Sequence, residues 1–269
     1  MLQRLREAVA WRWRKAARAR YLRKTFRNGD ELISSYLAST ACDTAVCRDG
    51  TSIRHPAGRT GFAGMILEVW YEEVYTKTFY SPRLGDVVID AGANIGLFSL
   101  LLARKQPGCR VLAFEPFEEN YRLLEGNLRA AGASMVQAYP VALSREAGAG
   151  AMVDGGGRSQ DHRLRTQATD GEGSRVVRTC TLPDVLDMAN EGTIALFKCD
   201  IEGSERDLFE CVRREDLRRI KRLAIEYHDN IRPGTLELLQ DRLHATHTLT
   251  VRPAGAGGYG MLYAVSETD

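Results

Sequence analysis

A loop that could hold a ligand begins at Asp90 and ends at Gly96, between an apolar run typical of a buried strand and one typical of a helix. Gly92 and Gly96 allow tight turns and a close approach of a ligand to the main chain. Ala93 and Asn94 complete the loop, and the first amide groups of the helix can donate hydrogen bonds to a ligand. The pattern predicts a binding loop at the carboxyl edge of an α/β sheet.

The type of ligand follows from a second acid, Glu115, which ends the next strand-like run. A carboxylate there can accept both hydroxyls of a ribose, while capping of the helix that starts near Pro116 is the structural alternative. The loop lacks the third glycine of a dinucleotide site and the Lys-Ser/Thr of a phosphate loop. We therefore expect S-adenosylmethionine, with its ammonium group on Asp90 and its adenine against Val141 and Ala142.

Candidate catalytic side chains follow two later strand-like runs, with Asp200 and Glu202 after one and Glu226 and His228 at the end of the other. Transfer of a methyl group from a sulfonium needs in-line alignment, and a proton acceptor beside the accepting group typically adds ~10²–10⁴-fold. His228 is the expected general base because imidazole titrates near neutral pH. Asp200 would orient it or contact the sulfonium. A histidine satisfied by the backbone and an aspartate that caps a helix are the structural alternatives.

A metal-dependent mechanism is the rival reading of the same edge. Catechol-type methyltransferases bind Mg²⁺ through acids after the fourth and fifth strands, and Asp200, Asp229 and Asn230 could supply such oxygen ligands. However, Glu226 and His228 occupy the strand end expected for that pair. The sequence therefore predicts a site without a metal ligand set.

The elements that position these residues form an alternating series. Strand-like runs occur at 87–90, 111–115, 136–141, 176–179, 194–200 and 223–227, with helix-like runs at 95–103, 118–131, 182–190, 204–212 and 234–243 between them. This order indicates a doubly wound, mostly parallel sheet over residues 83–269. The runs at 247–252 and 261–265 are joined by a short glycine-rich turn, so they must pair antiparallel. Residues 144–175 are expected to be an insertion with at most a short hairpin.

Residues 1–82 are expected to form an N-terminal helical extension with a strongly basic start. Residues 1–27 contain ten Lys/Arg and one acid, which leaves 27 basic and 34 acidic residues in the remainder of the chain. Apolar residues there recur at three- and four-residue steps, as in an amphipathic helix. Such a helix could dock on an acidic protein surface, including a second copy, lie on an anionic membrane surface or bind nucleic acid. We expect docking that serves assembly into a homo-oligomer and takes no part in the chemistry.

Composition narrows the class of protein further. A chain of 269 residues that is 44% hydrophobic and 27% charged can bury a full core. No run approaches the ~18 apolar residues of a membrane span, and the start lacks the apolar region of a secretory signal, so the cytoplasm is expected. The acidic segment 200–203 would repel phosphates, which disfavours a nucleic-acid substrate.

Five motifs in order carry a family resemblance. They are V-I-D-A-G-A-N-I-G-L-F-S, A-F-E-P-F-E-E-N, V-A-L-S, T-L-P-D-V-L and F-K-C-D-I-E-G-S-E. Over about residues 70–230 the chain resembles the FkbM-type methyltransferases, which are similar to other class I enzymes that use S-adenosylmethionine. The resemblance implies a seven-stranded sheet with an antiparallel last hairpin, and methyl transfer to a hydroxyl of a sugar or polyketide-like natural product. A non-catalytic scaffold with a partner-binding helix and a nicotinamide dehydrogenase are the alternatives.

Overall fold

The computed structural model describes residues 2–154, 162–165, 174–190, 192–255 and 257–267, and the side chains within 13–152, 175–190, 192–255 and 257–267. The N-terminal region contains helix α1 (Leu2–Thr25), helix α2 (Gly29–Ala38), the hairpin β1 (Thr44–Val46) and β2 (Ser52–Arg54), helix α3 (Phe62–Ile66) and a π-helix (Leu67–Glu72). In the part of the chain that the structure describes, no helix is long and apolar enough to cross a membrane.

Strands and helices alternate after this region. The strands are β3 (Val87–Ala91), β4 (Arg110–Phe114), β5 (Val136–Tyr139), β6 (Val141–Leu143), β7 (Gly148–Asp154), β8 (His162–Arg165), β9 (Ser174–Cys180), β10 (Leu196–Cys199), β11 (Arg222–His228), β12 (His247–Pro253) and β13 (Tyr259–Ser266). The helices are α4 (Leu97–Lys105), α5 (Glu118–Ala130), α6 (Leu182–Ala189), α7 (Glu205–Glu210), α8 (Arg214–Leu217) and α9 (Thr235–Leu243).

The main sheet has seven strands in the order β12-β13-β11-β10-β3-β4-β5. Strands β11, β10, β3, β4 and β5 run parallel, while β13 pairs antiparallel with both β11 and β12. This confirms the predicted doubly wound sheet with an antiparallel C-terminal hairpin. Because all the parallel strands end at one edge, the loops after β3, β4, β10 and β11 meet there.

Two hydrophobic cores cover the two faces of the sheet. Side chains alternate along β3, so Val88 lies in the core under α4, α5 and the N-terminal helices, while Val87 and Ile89 lie in the core under α6–α9. Helix α6 begins with a capping box in which the Thr181 and Asp184 side chains accept each other's backbone N–H. This accounts for the T-L-P-D motif in structural terms.

The N-terminal region packs as a cap on the first of these cores. Leu22 and Phe26 at the end of α1 are fully buried, and the Phe26 ring stacks on Trp70 with centroids 5.8 Å apart. The Trp70 indole donates to the Leu97 carbonyl oxygen at 2.8 Å. Burying a large apolar side chain contributes about 1.5–3 kcal/mol, so the second half of α1 is part of the folded body.

A second sheet corrects two expectations. The predicted strand at 136–141 is interrupted at Pro140, which has no N–H for the ladder, and β6 after it pairs with β9 instead of continuing the main sheet. The insertion holds more than a hairpin, because β6, β9, β7 and β8 form a four-stranded sheet in that order. The rest of the predicted insertion, residues 155–161 and 166–173, lies outside the described residues.

Candidate active site

A cavity of about 340 Å³ opens at the carboxyl edge of the main sheet. Most of the residues that sequence patterns single out line it, namely Gly92, Ala93, Asn94, Glu115, Pro116, Val141, Ala142, Asp200, Glu202 and Glu226. Asp90, Gly96 and His228 lie outside its lining. The cavity therefore brings the predicted binding loop and the predicted acids together, with three exceptions that have structural explanations.

The binding loop passes close to the chain after β10. Gly92 has φ +75°, and a Cβ atom there would lie 1.7 Å from the Asp200 carbonyl oxygen. Only glycine fits this left-handed position and this approach. The Gly92 and Ala93 amides both donate to the Phe114 carbonyl oxygen, at 3.0 and 2.9 Å, and so fasten the loop to β4.

Glu115 is held rigidly at the end of β4 and faces the cavity. Its Oε2 accepts from the Asn94 amide and its Oε1 from the Phe117 amide, both at 2.8 Å. Burial raises the pKa of this carboxyl to about 7, against the opposing effect of the two amides. Each oxygen keeps a second lone pair, so a carboxylate that caps the helix start can also accept hydroxyl donors from a ligand.

The expected contact between Asp90 and the cofactor ammonium group is not available, because the Asp90 carboxylate is fully buried beneath the loop. It is ion-paired with Lys198 at 3.1 Å and accepts from the Ser99 hydroxyl at 2.7 Å. Lys198 in turn donates to the Gly92 carbonyl oxygen at 2.7 Å. Gly96 is likewise structural, since it begins α4 with φ +92° and an added Cβ would lie 2.6 Å from Leu124.

Carboxylates form an acidic floor on one side of the cavity. The Tyr75 hydroxyl lies 2.9 Å from Asp200 Oδ2 and 3.2 Å from Glu226 Oε2, so one phenol connects two acids. Burial, followed by the charge of Asp200, raises the pKa of Glu226 to about 8, of Glu202 to about 9 and of Glu68 to about 7. Tyr75 and Glu68 come from a segment without a recognisable motif, so no sequence signal could have identified them.

His228 lies behind the floor and does not have the properties predicted for it. Its Nδ1 is 3.0 Å from the fully buried Glu205 and its Nε2 is 3.6 Å from Glu202. Burial lowers the pKa of His228, but the hydrogen bond to Glu205 and the charges of Asp200 and Glu202 outweigh burial and raise it to about 10. The expectation of a base with a near-neutral pKa is therefore wrong, because the imidazole is already protonated at neutral pH.

The residues that could hold a metal also differ from the set that the metal-dependent alternative would use. The Asp229 carboxylate accepts from the Leu236 backbone N–H at 3.0 Å at the start of α9, so it is engaged in a helix cap. The backbone N–H of Asn230 donates to the Gly258 carbonyl oxygen. Asp200, Glu202 and His228 instead each offer one ligand atom, and these three atoms lie within 4.8 Å of one another.

Comparison with known proteins finds a methyltransferase family model and related methyltransferase sequences. The family model described as methyltransferase FkbM domain matches residues 90–244. The chain is 28% identical over 223 residues to 31-O-demethyl-FK506 methyltransferase FkbM of Streptomyces tacrolimicus, covering 71% of this chain and 84% of the relative. It is 30% identical over 206 residues to methyltransferase sdnD of Sordaria araneosa, covering 64% and 80%. Among solved structures, a putative rRNA methylase from Clostridium thermocellum matches with 10% identity and a TM-score of 0.47, covering 73% and 93%.

Proposed function

Because this chain belongs to the FkbM methyltransferase family, we propose that it transfers a methyl group from S-adenosylmethionine to a hydroxyl oxygen of a small natural product. The observation that carries the proposal is the cavity itself, which is lined both by Glu115 and by the acidic floor. The relative from Streptomyces tacrolimicus acts, by its name, on 31-O-demethyl-FK506, which supports an oxygen acceptor. A sugar or polyketide-like acceptor is the class that we propose here.

The residues around the cavity suit this cofactor. Glu115 has lone pairs for the two ribose hydroxyls, and the apolar side chains of Pro116, Val141 and Ala142 supply a wall for the adenine. The acidic floor favours a cofactor with positively charged groups. When bound, S-adenosylmethionine supplies an electrophilic methyl group on a sulfonium.

Glu226 is the proposed proton acceptor, in place of His228. Because burial raises the pKa of Glu226 to about 8, it acts as the base in its deprotonated form, and the rate should rise as the pH increases through about 8. Its carboxylate lines the cavity, whereas the imidazole lies behind Glu202. Glu226 would take the proton that the acceptor hydroxyl releases as its oxygen bonds to the methyl carbon, while the bond from that carbon to the sulfonium sulfur breaks and its electron pair stays on sulfur. Tyr75 holds the carboxylate by a hydrogen bond of 3.2 Å and so fixes the direction from which it approaches the acceptor.

Transfer of a labelled methyl group from S-adenosylmethionine to a panel of hydroxylated sugars and macrolides tests the proposal. We expect Glu226→Gln to lower turnover ~10²–10⁴-fold and to change cofactor affinity less than about threefold, because only the transition state needs the proton acceptor. Glu237→Gln, on the exposed face of α9, is the matched control and should leave both values unchanged.

Calorimetry separates the alternatives. A non-catalytic scaffold predicts that S-adenosylmethionine does not bind, and a nicotinamide dehydrogenase predicts that NAD binds and S-adenosylhomocysteine does not. Either result would overturn the proposed function. Full turnover of Glu226→Gln would overturn only the choice of proton acceptor.

A further inference from the structure

We propose that Asp200, Glu202 and His228 bind a divalent metal cation at the floor of the cavity. The three ligand atoms lie within 4.8 Å of one another. Ligand atoms that share one ion at ~2.1 Å lie roughly 3–4.2 Å apart, so side-chain shifts of about 1 Å or less close the site. Asp200 and Glu202 line the cavity, which leaves the remaining positions on the cation accessible to water or substrate.

The fixed orientation of His228 suits a metal ligand, and a cation bound at Nε2 would displace the proton that this nitrogen carries at neutral pH. Its Nδ1 is fixed by Glu205 Oε1 at 3.0 Å, and the same oxygen accepts from the Ile201 and Gly203 amides at 3.2 and 3.1 Å. Because Glu205 is fully buried, it holds the ring in one orientation and directs Nε2 toward Glu202. A carboxylate on the far nitrogen of a ligating histidine is the usual outer-shell arrangement in metal sites.

A buried carboxylate oxygen of Asp200 supplies an independent observation. Asp200 Oδ2 accepts from Tyr75, whereas Oδ1 is buried and has no hydrogen-bond partner in the part of the chain that the structure describes. A buried polar atom without a partner costs free energy, and a bound cation removes that cost. Lys198, the nearby cation, already pairs with Asp90 and is directed at the loop carbonyls.

The donor set indicates which cations would bind. Two carboxylates and one imidazole nitrogen suit a first-row ion such as Mn²⁺ better than Mg²⁺, which prefers oxygen ligands and retains its waters. A cation at this place could coordinate the acceptor hydroxyl and lower its pKa next to Glu226. That use of the cation rests on the proposed function, whereas its binding does not.

Titration of the EDTA-treated full-length protein with Mn²⁺, followed by electron paramagnetic resonance of the free ion, tests the site without substrate or cofactor. We expect one saturable site per chain, with ¹⁴N coupling from His228 in the bound spectrum. Glu202→Gln and His228→Gln should each weaken Mn²⁺ at least ~100-fold, because each removes a ligand. Glu205→Gln, which alters only the positioning of His228, should weaken it about 10–100-fold.

Glu226→Gln is the matched control, since it removes a carboxylate from the same floor without removing a ligand. We expect a loss of severalfold at most, whereas a loss equal to that of Glu202→Gln would mean diffuse attraction and would overturn the proposal. So would the absence of saturable binding, or a ¹⁴N coupling that persists in His228→Gln. Melting temperatures identify variants that fail to fold. If His228→Gln fails to fold, Glu202→Gln still tests the site, because the Glu202 side chain is partly exposed. Cofactor binding without Mn²⁺ binding would overturn this inference and leave the proposed function intact.

Discussion

The charge of Glu115 varies across the neutral range because burial raises its pKa to about 7. The carboxylate predominates above that pH, and only the carboxylate can accept two ribose hydroxyls. Below about pH 7 the free protein must release a proton to bind S-adenosylmethionine, so the association constant should fall by up to about tenfold per pH unit. Calorimetric titration between pH 5.5 and 8.5, about one and a half units on either side of the pKa, measures this slope.

Glu115→Gln provides the control for that profile, because the amide does not titrate. We expect roughly ten- to a hundredfold weaker binding at pH 8.5 and a profile that is less steep than that of the wild type, with the remaining slope due to Glu226 and Glu68 in the acidic floor. A wild-type profile without a slope, or a variant that keeps the full affinity, would show that Glu115 does not bind the ribose.

The role of an individual residue could be predicted from the sequence where that role depends on residues close to it in the sequence. The order of strand, loop and helix located Gly92 and Glu115, because loops after parallel strands share one edge of the sheet. The environments of Asp90 and His228 could not be predicted in this way. The environment of Asp90 depends on its ion pair with Lys198, which lies 108 positions later in the sequence. The environment of His228 depends on its hydrogen bond with Glu205.

At the scale of elements, the loop after β3 packs against the chain after β10, and Gly92 is the point of contact. In Gly92→Ala, an unfavourable φ adds to a distance of only 1.7 Å between the new Cβ and the Asp200 carbonyl oxygen. We expect a loss of more than about 2 kcal/mol in the free energy of unfolding, with weaker cofactor binding.

Gly126→Ala, on helix α5, is the matched control because nothing lies within 4 Å of its added Cβ. Alanine there should leave the protein as stable or stabilise it by up to about 1 kcal/mol. Urea unfolding measures both variants. Equal free energies of unfolding for the two would contradict the close packing of the loops.

The elements that the sequence predicts well are those with a strong periodic or continuous apolar pattern, such as β3, β4, α5 and the C-terminal hairpin. The second sheet escaped prediction for a physical reason. Strand β7 begins Gly-Ala-Gly-Ala, whose small residues carry little strand preference. Its partners β8 and β9 both follow it, within and at the end of the predicted insertion. The end of β5 at Pro140 could have been predicted, since proline donates no hydrogen bond.

At the scale of the molecule, the basic N-terminal helix α1 contacts the acidic remainder of the chain through side chains of its second half. The Arg18 guanidinium contacts Glu72 of the π-helix and donates to the Tyr36 hydroxyl at 2.9 Å. Leu22 and Phe26 extend the same contact into the core. A helix expected to serve only docking is therefore also a structural element over its second half. Homo-oligomer formation and membrane contact stay predictions.

Two truncations separate these roles of α1. A chain that begins at Trp13 keeps the buried Leu22 and Phe26, so we expect its melting temperature and cofactor affinity to match those of the full chain. A chain that begins at Asn28 lacks the buried Leu22 and Phe26, and each loss costs about 2–5 kcal/mol against a total stability of about 5–15 kcal/mol. We expect the second truncation to unfold at a much lower temperature and to bind little cofactor. Circular dichroism and calorimetry measure both.

The truncation at Trp13 then isolates the docking role, because it removes basic and apolar residues of α1 and keeps the buried Leu22 and Phe26. We expect it to sediment less with anionic vesicles or to show a smaller oligomer on size exclusion, because both associations draw on the removed charges and apolar side chains. Zwitterionic vesicles serve as the control for non-specific adsorption. If the shortened chain behaves like the full chain in both assays, the first half of α1 has no docking role. If the chain that begins at Asn28 keeps the full melting temperature, the contacts of Leu22 and Phe26 do not stabilise the fold.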